Sequence, residues 1–169
     1  MDRVFPDILA KMHAIEIDYA NGEGIDFEPF DTFFSEEETA HWIKAWTANE
    51  SLDGREYLIF GQDGTGGYAA FWCVRNTSDI LQQPIVFMGS EGELGIIAQS
   101  FKDYVWLFAN GVGPCEAVGY PDIARPQNPE FLEFAQCYAP ENKASVSEII
   151  NRAKSEFPDF EKDLYQLCC

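Results

Sequence analysis

Four short apolar runs, parted by glycine-rich breaks, restrict this chain more than any other feature. "EYLIF" (56–60) and "YAAFWCV" (68–74) flank "GQDGTGG", while "PIVFM" (84–88) and "LGIIA" (94–98) flank "GSEGE". Short runs rich in β-branched and aromatic residues, closed by Gly, Asp and Ser, read as strands. Two hairpins in succession predict an antiparallel meander of about four or more strands. "YAAFWCV" is apolar at almost every position, so it is expected to lie centrally with both faces covered.

Outside these runs the apolar period changes to that of a helix. Phe5, Ile8, Leu9 and Met12 fall at i, i+3, i+4 and i+7, with Pro6 tolerable only near a first turn. Ser35 and Glu38 predict a capping box for a helix carrying Trp42, Ile43 and Trp46, with Glu36 and Glu37 in its first turn. Ser100 caps a third helix through Phe101, Tyr104, Val105 and Phe108, which "NGVGP" ends. A Pro/Gly-rich connection (111–129) follows, and Asn128-Pro129 opens a helix through Phe131, Phe134, Ala135 and Tyr138. Ser145 and Glu148 box a helix bearing Val146, Ile149, Ile150 and Ala153, and "PDFEKDLYQL" adds a short terminal turn or helix. "IDFEPFDTFF" (25–34) reads as extended or irregular. Helices grouped around a strand cluster, without βαβ alternation, mean an α+β fold. The 169 residues are expected to form one domain, 1–169, whose part from 112 to 169 is helical.

The glycine loop lacks the marks of a catalytic or phosphate-binding loop. Gly61 and Gly66 have P-loop spacing, but Gly67 stands where lysine is needed and a strand follows instead of a helix. Asp63-Gly64-Thr65-Gly66 is not the Asp-Thr-Gly of an aspartic protease, and no second copy exists. A turn accounts for every feature: glycine supplies positive φ, and Asp63 bonds its own backbone. Glu38 and His41 form half of a di-iron helix motif that requires two copies. A metal-dependent hydrolase would hold its ion near His41 or Asp63, but no cofactor, metal or catalytic residue is expected.

Charge excludes other classes. The chain has 29 acidic against 11 basic residues, a net charge of −18, which repels nucleic acid and anionic lipid and attracts basic partners. No apolar run reaches membrane-spanning length. The acidic N-terminal stretch does not read as a signal peptide. Five cysteines, an odd count without a signal peptide, fit a reducing, cytoplasmic location, and the lack of a C-x-x-C pair gives structural zinc little support.

Between Lys11 and Lys44 there is no Lys or Arg, while acidic residues accumulate around Phe27, Phe30, Phe33 and Phe34. Aromatic anchors inside a charged rim are what protein interfaces use. The same pattern suits a solvated acidic face whose Phe residues belong to the core, and both readings stand at this point. The residues expected to meet a partner are Asp26, Glu28, Asp31, Glu36 and Glu37 as charges, with Phe30 or Phe33 as anchors.

"LIFGQDGTGGYAAFW" and "PIVFMGSEGELGIIAQSFKDYVWLFANG" together resemble the SUKH superfamily, the Smi/Knr-like proteins. The likeness lies in their order: strand, Gly-rich turn, strand with Tyr, Pro-led strand, further strand, then Ser-Phe and a helix. It covers roughly residues 55–111. The Leu-Pro and tyrosine entry usual in that family's N-terminal helix is not recognisable, and "MGSEGE" replaces its acidic-histidine cluster. The resemblance implies an α+β fold and, for most bacterial members, a non-catalytic immunity protein that binds and neutralises a co-encoded toxin, often a nuclease. For the eukaryotic branch it implies a regulatory or scaffold module acting through protein contacts, with no toxin partner.

Overall fold

A computed structural model of the protein describes residues 3–169. Its elements run α1 (Asp7–His13), β1 (Glu28–Pro29), α2 (Glu36–Thr47), β2 (Tyr57–Gln62), β3 (Tyr68–Trp72), β4 (Ile85–Met88) and β5 (Leu94–Ala98). Then come α3 (Phe101–Ala109), α4 (Pro114–Gly119), α5 (Pro129–Tyr138), α6 (Val146–Glu156) and α7 (Phe160–Leu167). The five strands form one antiparallel sheet in chain order, β1 to β5, with the helices packed around it. The fold is α+β.

Helix starts follow local chemistry. Ser35 Oγ accepts from Glu38 N at 3.1 Å and Glu38 Oε2 accepts from Ser35 N at 2.8 Å, the full reciprocal cap. At α6 only half of the expected box forms. Ser145 Oγ accepts from Glu148 N at 3.2 Å, but the Glu148 carboxylate bonds the Ser145 hydroxyl at 3.1 Å instead of the backbone. The connection 111–129 hides a helix: Pro114 stands at the first helical position of α4, and Glu116 Oε1 accepts from Gly113 N at 3.1 Å.

Strand alternation feeds two cores. Leu58, Phe60, Ala69 and Phe71 point to the face covered by α1, α3, α5 and part of α6, whereas Tyr57, Ile59 and Ala70 point to the face covered by α2 and α7. With both faces buried, β2 to β5 need apolar residues at nearly every position, as the sequence shows. The β4–β5 turn is pinned from the second face: Trp46 Nε1 donates to Gly89 O at 2.7 Å, and the Tyr165 hydroxyl donates to Gly92 O at 2.8 Å. No helix is long and apolar enough to cross a membrane among the described residues.

Candidate functional site

The acidic segment runs along the free edge of β2. Pro29 has no N–H to donate, so the β1 ladder lasts two residues. The segment stays attached nonetheless: Phe30 N donates to Phe60 O at 2.9 Å and Phe34 N to Ile59 O at 3.1 Å. Along it the phenylalanines separate into inner and outer sets. Phe27 and Phe33 are each 8% exposed and belong to the core. Phe33 packs 4.9 Å from the Phe5 ring and edge-on at 6.3 Å to Phe71. The expectation that Phe33 offers a surface anchor is therefore corrected: the edge bonds at Phe30 and Phe34 turn the ring between them inward, where it forms floor.

Phe30 and Phe34 stay half-buried and stack on each other at 5.3 Å and 13°. Phe34 meets the half-exposed Tyr68 of β3 edge-on at 4.9 Å, and Tyr68 meets Trp42 of α2 edge-on at 4.6 Å. These rings border two adjoining grooves. One, of about 630 Å³, lies between α1 and the segment and is lined by His13, Glu28, Phe30, Asp31, Phe33 and Glu38 among others. The second, of about 590 Å³, is lined by Phe34, Trp42 and Tyr68, with Glu37, Glu38 and His41 at its rim. Phe34 and Glu38 border both. The face is negative as well as aromatic: burial, and then the charge of Glu38, push the Tyr68 hydroxyl above its ordinary pKa.

His13 supports this face from below. Its Nδ1 lies 2.6 Å from Phe30 O. A carbonyl only accepts, so Nδ1 carries the proton and donates. Nε2 is buried without a partner. Burial holds the imidazole below its usual pKa, partly offset by the Phe30 bond, so the neutral ring is the favoured form.

Of the residues expected to meet a partner, Glu28, Phe30, Asp31 and Phe33 come together in the first groove, and Glu37 borders the second. Glu36 is exposed in the first turn of α2 and lines neither. Asp26 lies apart, its Oδ1 accepting from Gly64 N at 2.9 Å. Phe34, Glu38, Trp42 and Tyr68 were not among those expected. Glu38 and Trp42 were within reach of helix geometry, since residues four apart share a face. Nothing local marked Tyr68, which the meander delivers.

Asp26 joins a second cluster. Ligand atoms of Asp26, Asp63 and Cys115 lie within 4.8 Å of one another, a grouping that the sequence did not suggest. The carboxylates are engaged in closing the glycine turn. Asp63 Oδ1 accepts from Thr65 N at 3.0 Å, Thr65 Oγ1 at 2.9 Å and Gly67 N at 2.8 Å, while Gly66 supplies φ +92°. Burial, with Glu116, Asp63 and Asp26 adding their charge, pushes the Cys115 thiol up to about 12, away from the thiolate that binds metal.

Comparison of the chain with protein-family models, with curated proteins and with solved structures returns no significant match.

Proposed function

We propose that this protein is a non-catalytic immunity protein of the SUKH type, which binds a basic toxin in the cytoplasm through the acidic, aromatic face along β1 and α2. The observation that carries the reading is the meeting of Glu28, Asp31, Glu37 and Glu38 around the half-buried Phe30 and Phe34 on two adjoining grooves. A carboxylate rim about aromatic anchors is how protein interfaces combine steering with burial. The net charge of −18 adds a long-range field. A toxin that cleaves nucleic acid must be basic where it holds its substrate, so such a field brings the two proteins together and excludes the substrate. Steering of this kind raises association by about 10 to 10³-fold and fades with salt.

The test is co-expression with the product of the immediately upstream gene, followed by capture and association kinetics over a salt series. The expected outcome is a tight complex whose association rate falls as salt rises, and falls further in a Glu37→Lys variant at low salt. Recovery of an unrelated housekeeping protein instead, with no complex with the neighbour, would favour the regulatory module. Association rates that ignore both salt and Glu37→Lys would remove this face from the interaction.

A further inference from the structure

We propose that the groove between α2 and β3 is an arginine-binding pocket, taking a guanidinium side chain of the basic partner between the aromatic group Phe34, Trp42 and Tyr68 and the carboxylates of Glu37 and Glu38. The inference rests on the proposed reading that this face meets a basic protein, and it names the residue type recognised. The pocket has a volume of about 590 Å³, ample for one extended arginine side chain. Its walls supply two kinds of attraction for a planar cation. Ring quadrupoles attract a cation over their faces, and carboxylates accept the parallel N–H pairs of a guanidinium.

The charges that line the pocket agree with that occupant, and Arg3, whose guanidinium donates to Phe34 O and Thr39 Oγ1, does not border it. The nearest carboxylates come from consecutive residues on the first turn of α2, and both border the cavity. Glu38 is held in place by its reciprocal cap with Ser35, so one acceptor is ordered before any ligand arrives. Its charge is already felt by the Tyr68 hydroxyl. His41, also at the rim, is exposed. The nearest lysine on the helix, Lys44, lies near Glu50, 4.0 Å from its carboxylate, and does not border the pocket. An aliphatic occupant would leave those carboxylates desolvated and unmatched.

Titration of the intact protein with arginine methyl ester at low salt, followed through the Trp42 indole N–H and the Tyr68 amide by NMR, tests this directly. Citrulline methyl ester, nearly the same shape and with the same α-amine but without the guanidinium charge, is the control. The expected result is a saturable shift at roughly millimolar arginine ester, absent with citrulline ester. Glu37→Gln with Glu38→Gln should weaken binding about tenfold. Glutamine at position 38 preserves the helix cap, so the fold survives that change. Tyr68→Leu should weaken binding about fivefold. Equal shifts with both esters, or no shift at these two residues, overturn the proposal. The outcomes separate from those of the broader reading. Arginine binding here without a toxin complex supports the pocket and leaves the immunity role to fall. A salt-sensitive complex indifferent to Tyr68→Leu and to the paired Gln changes sinks the pocket alone.

Discussion

Gly61→Ala is the sharpest probe of how the acidic segment is fixed to the sheet. Gly61 sits in β2 opposite Pro29 of β1, beside the irregularity that follows Ile59. A methyl there would fall 2.6 and 2.9 Å from Cε1 and Cε2 of Phe27, and closer still to Cζ. Ordinary carbon contact needs about 3.5 Å or more, so the ring must retreat by at least about 1 Å. It has little room, because Phe108, His13 and Phe60 stand at 5.7, 6.2 and 6.3 Å between centroids. Overpacking of a core typically costs about 1 to 3 kcal/mol, and a ring hemmed on three sides belongs at the upper end. For a chain of this size each kcal/mol lowers Tm by about 2 to 4 °C, so a fall of about 6 to 12 °C is expected. Thermal unfolding by circular dichroism measures it. Gly119→Ala is the control, since no atom lies within 4 Å of its added methyl, and its Tm should stay within about 2 °C. Adding Phe27→Leu to Gly61→Ala should restore part of the loss. An unchanged Tm for Gly61→Ala would refute the reasoning, as would strictly additive effects of the two changes.

Two further predictions concern pH. Burial holds the folded pKa of His13 below its ordinary value of 6.5, so the unfolded chain binds the extra proton first; stability is therefore full above about 6.5 and falls as the solution is acidified below it. In urea unfolding at several pH values, His13→Gln should flatten that part of the profile; an unaltered slope would assign the titration elsewhere. Glu116 is the opposite case: burial first raises its pKa, and this outweighs the lowering by its bonds from Gly113 N and Asp26 N and by Arg125. Its contribution is present below the ordinary value of 4.5 and is lost as pH rises through the folded value. Gln keeps the acceptor for both N–H groups, so Glu116→Gln should match or exceed the parent at pH 7 and lose that advantage in acid. A loss above about 1 kcal/mol at pH 7 would mean that the charge itself is needed.

The elements legible in the sequence were those with their own punctuation. β2 to β5 announced themselves by apolar runs between glycines, and α2, α3 and α5 by Ser or Asn at the cap. β1 was not legible, because a two-residue ladder containing Pro29 has no period to detect and exists only where β2 offers an edge. α4 was masked by its glycine and proline neighbours, although Pro114 serves as a helix start. The negative, aromatic character of the candidate site could be read from the interleaving of acids with Phe27, Phe30, Phe33 and Phe34. Which rings face outward could not, since irregular backbone has neither period. Tyr68 and Trp42 are neighbours only through the packing of α2 on the sheet.

The brevity of β1 has a consequence for how copies of this protein meet one another. An unprotected sheet edge invites another chain to add a strand, and natural sheets blunt such edges with proline, charge and short ladders. The segment from Glu28 to Phe34 does all three for β2: it occupies the carbonyls of Ile59 and Phe60, sets Pro29 in the ladder and leaves Glu28 and Asp31 exposed. The residues proposed for recognition are thus the same ones that blunt this edge. Discharging or deleting them will expose a template for self-assembly along with any change in affinity, so light scattering belongs beside every binding measurement made on this edge.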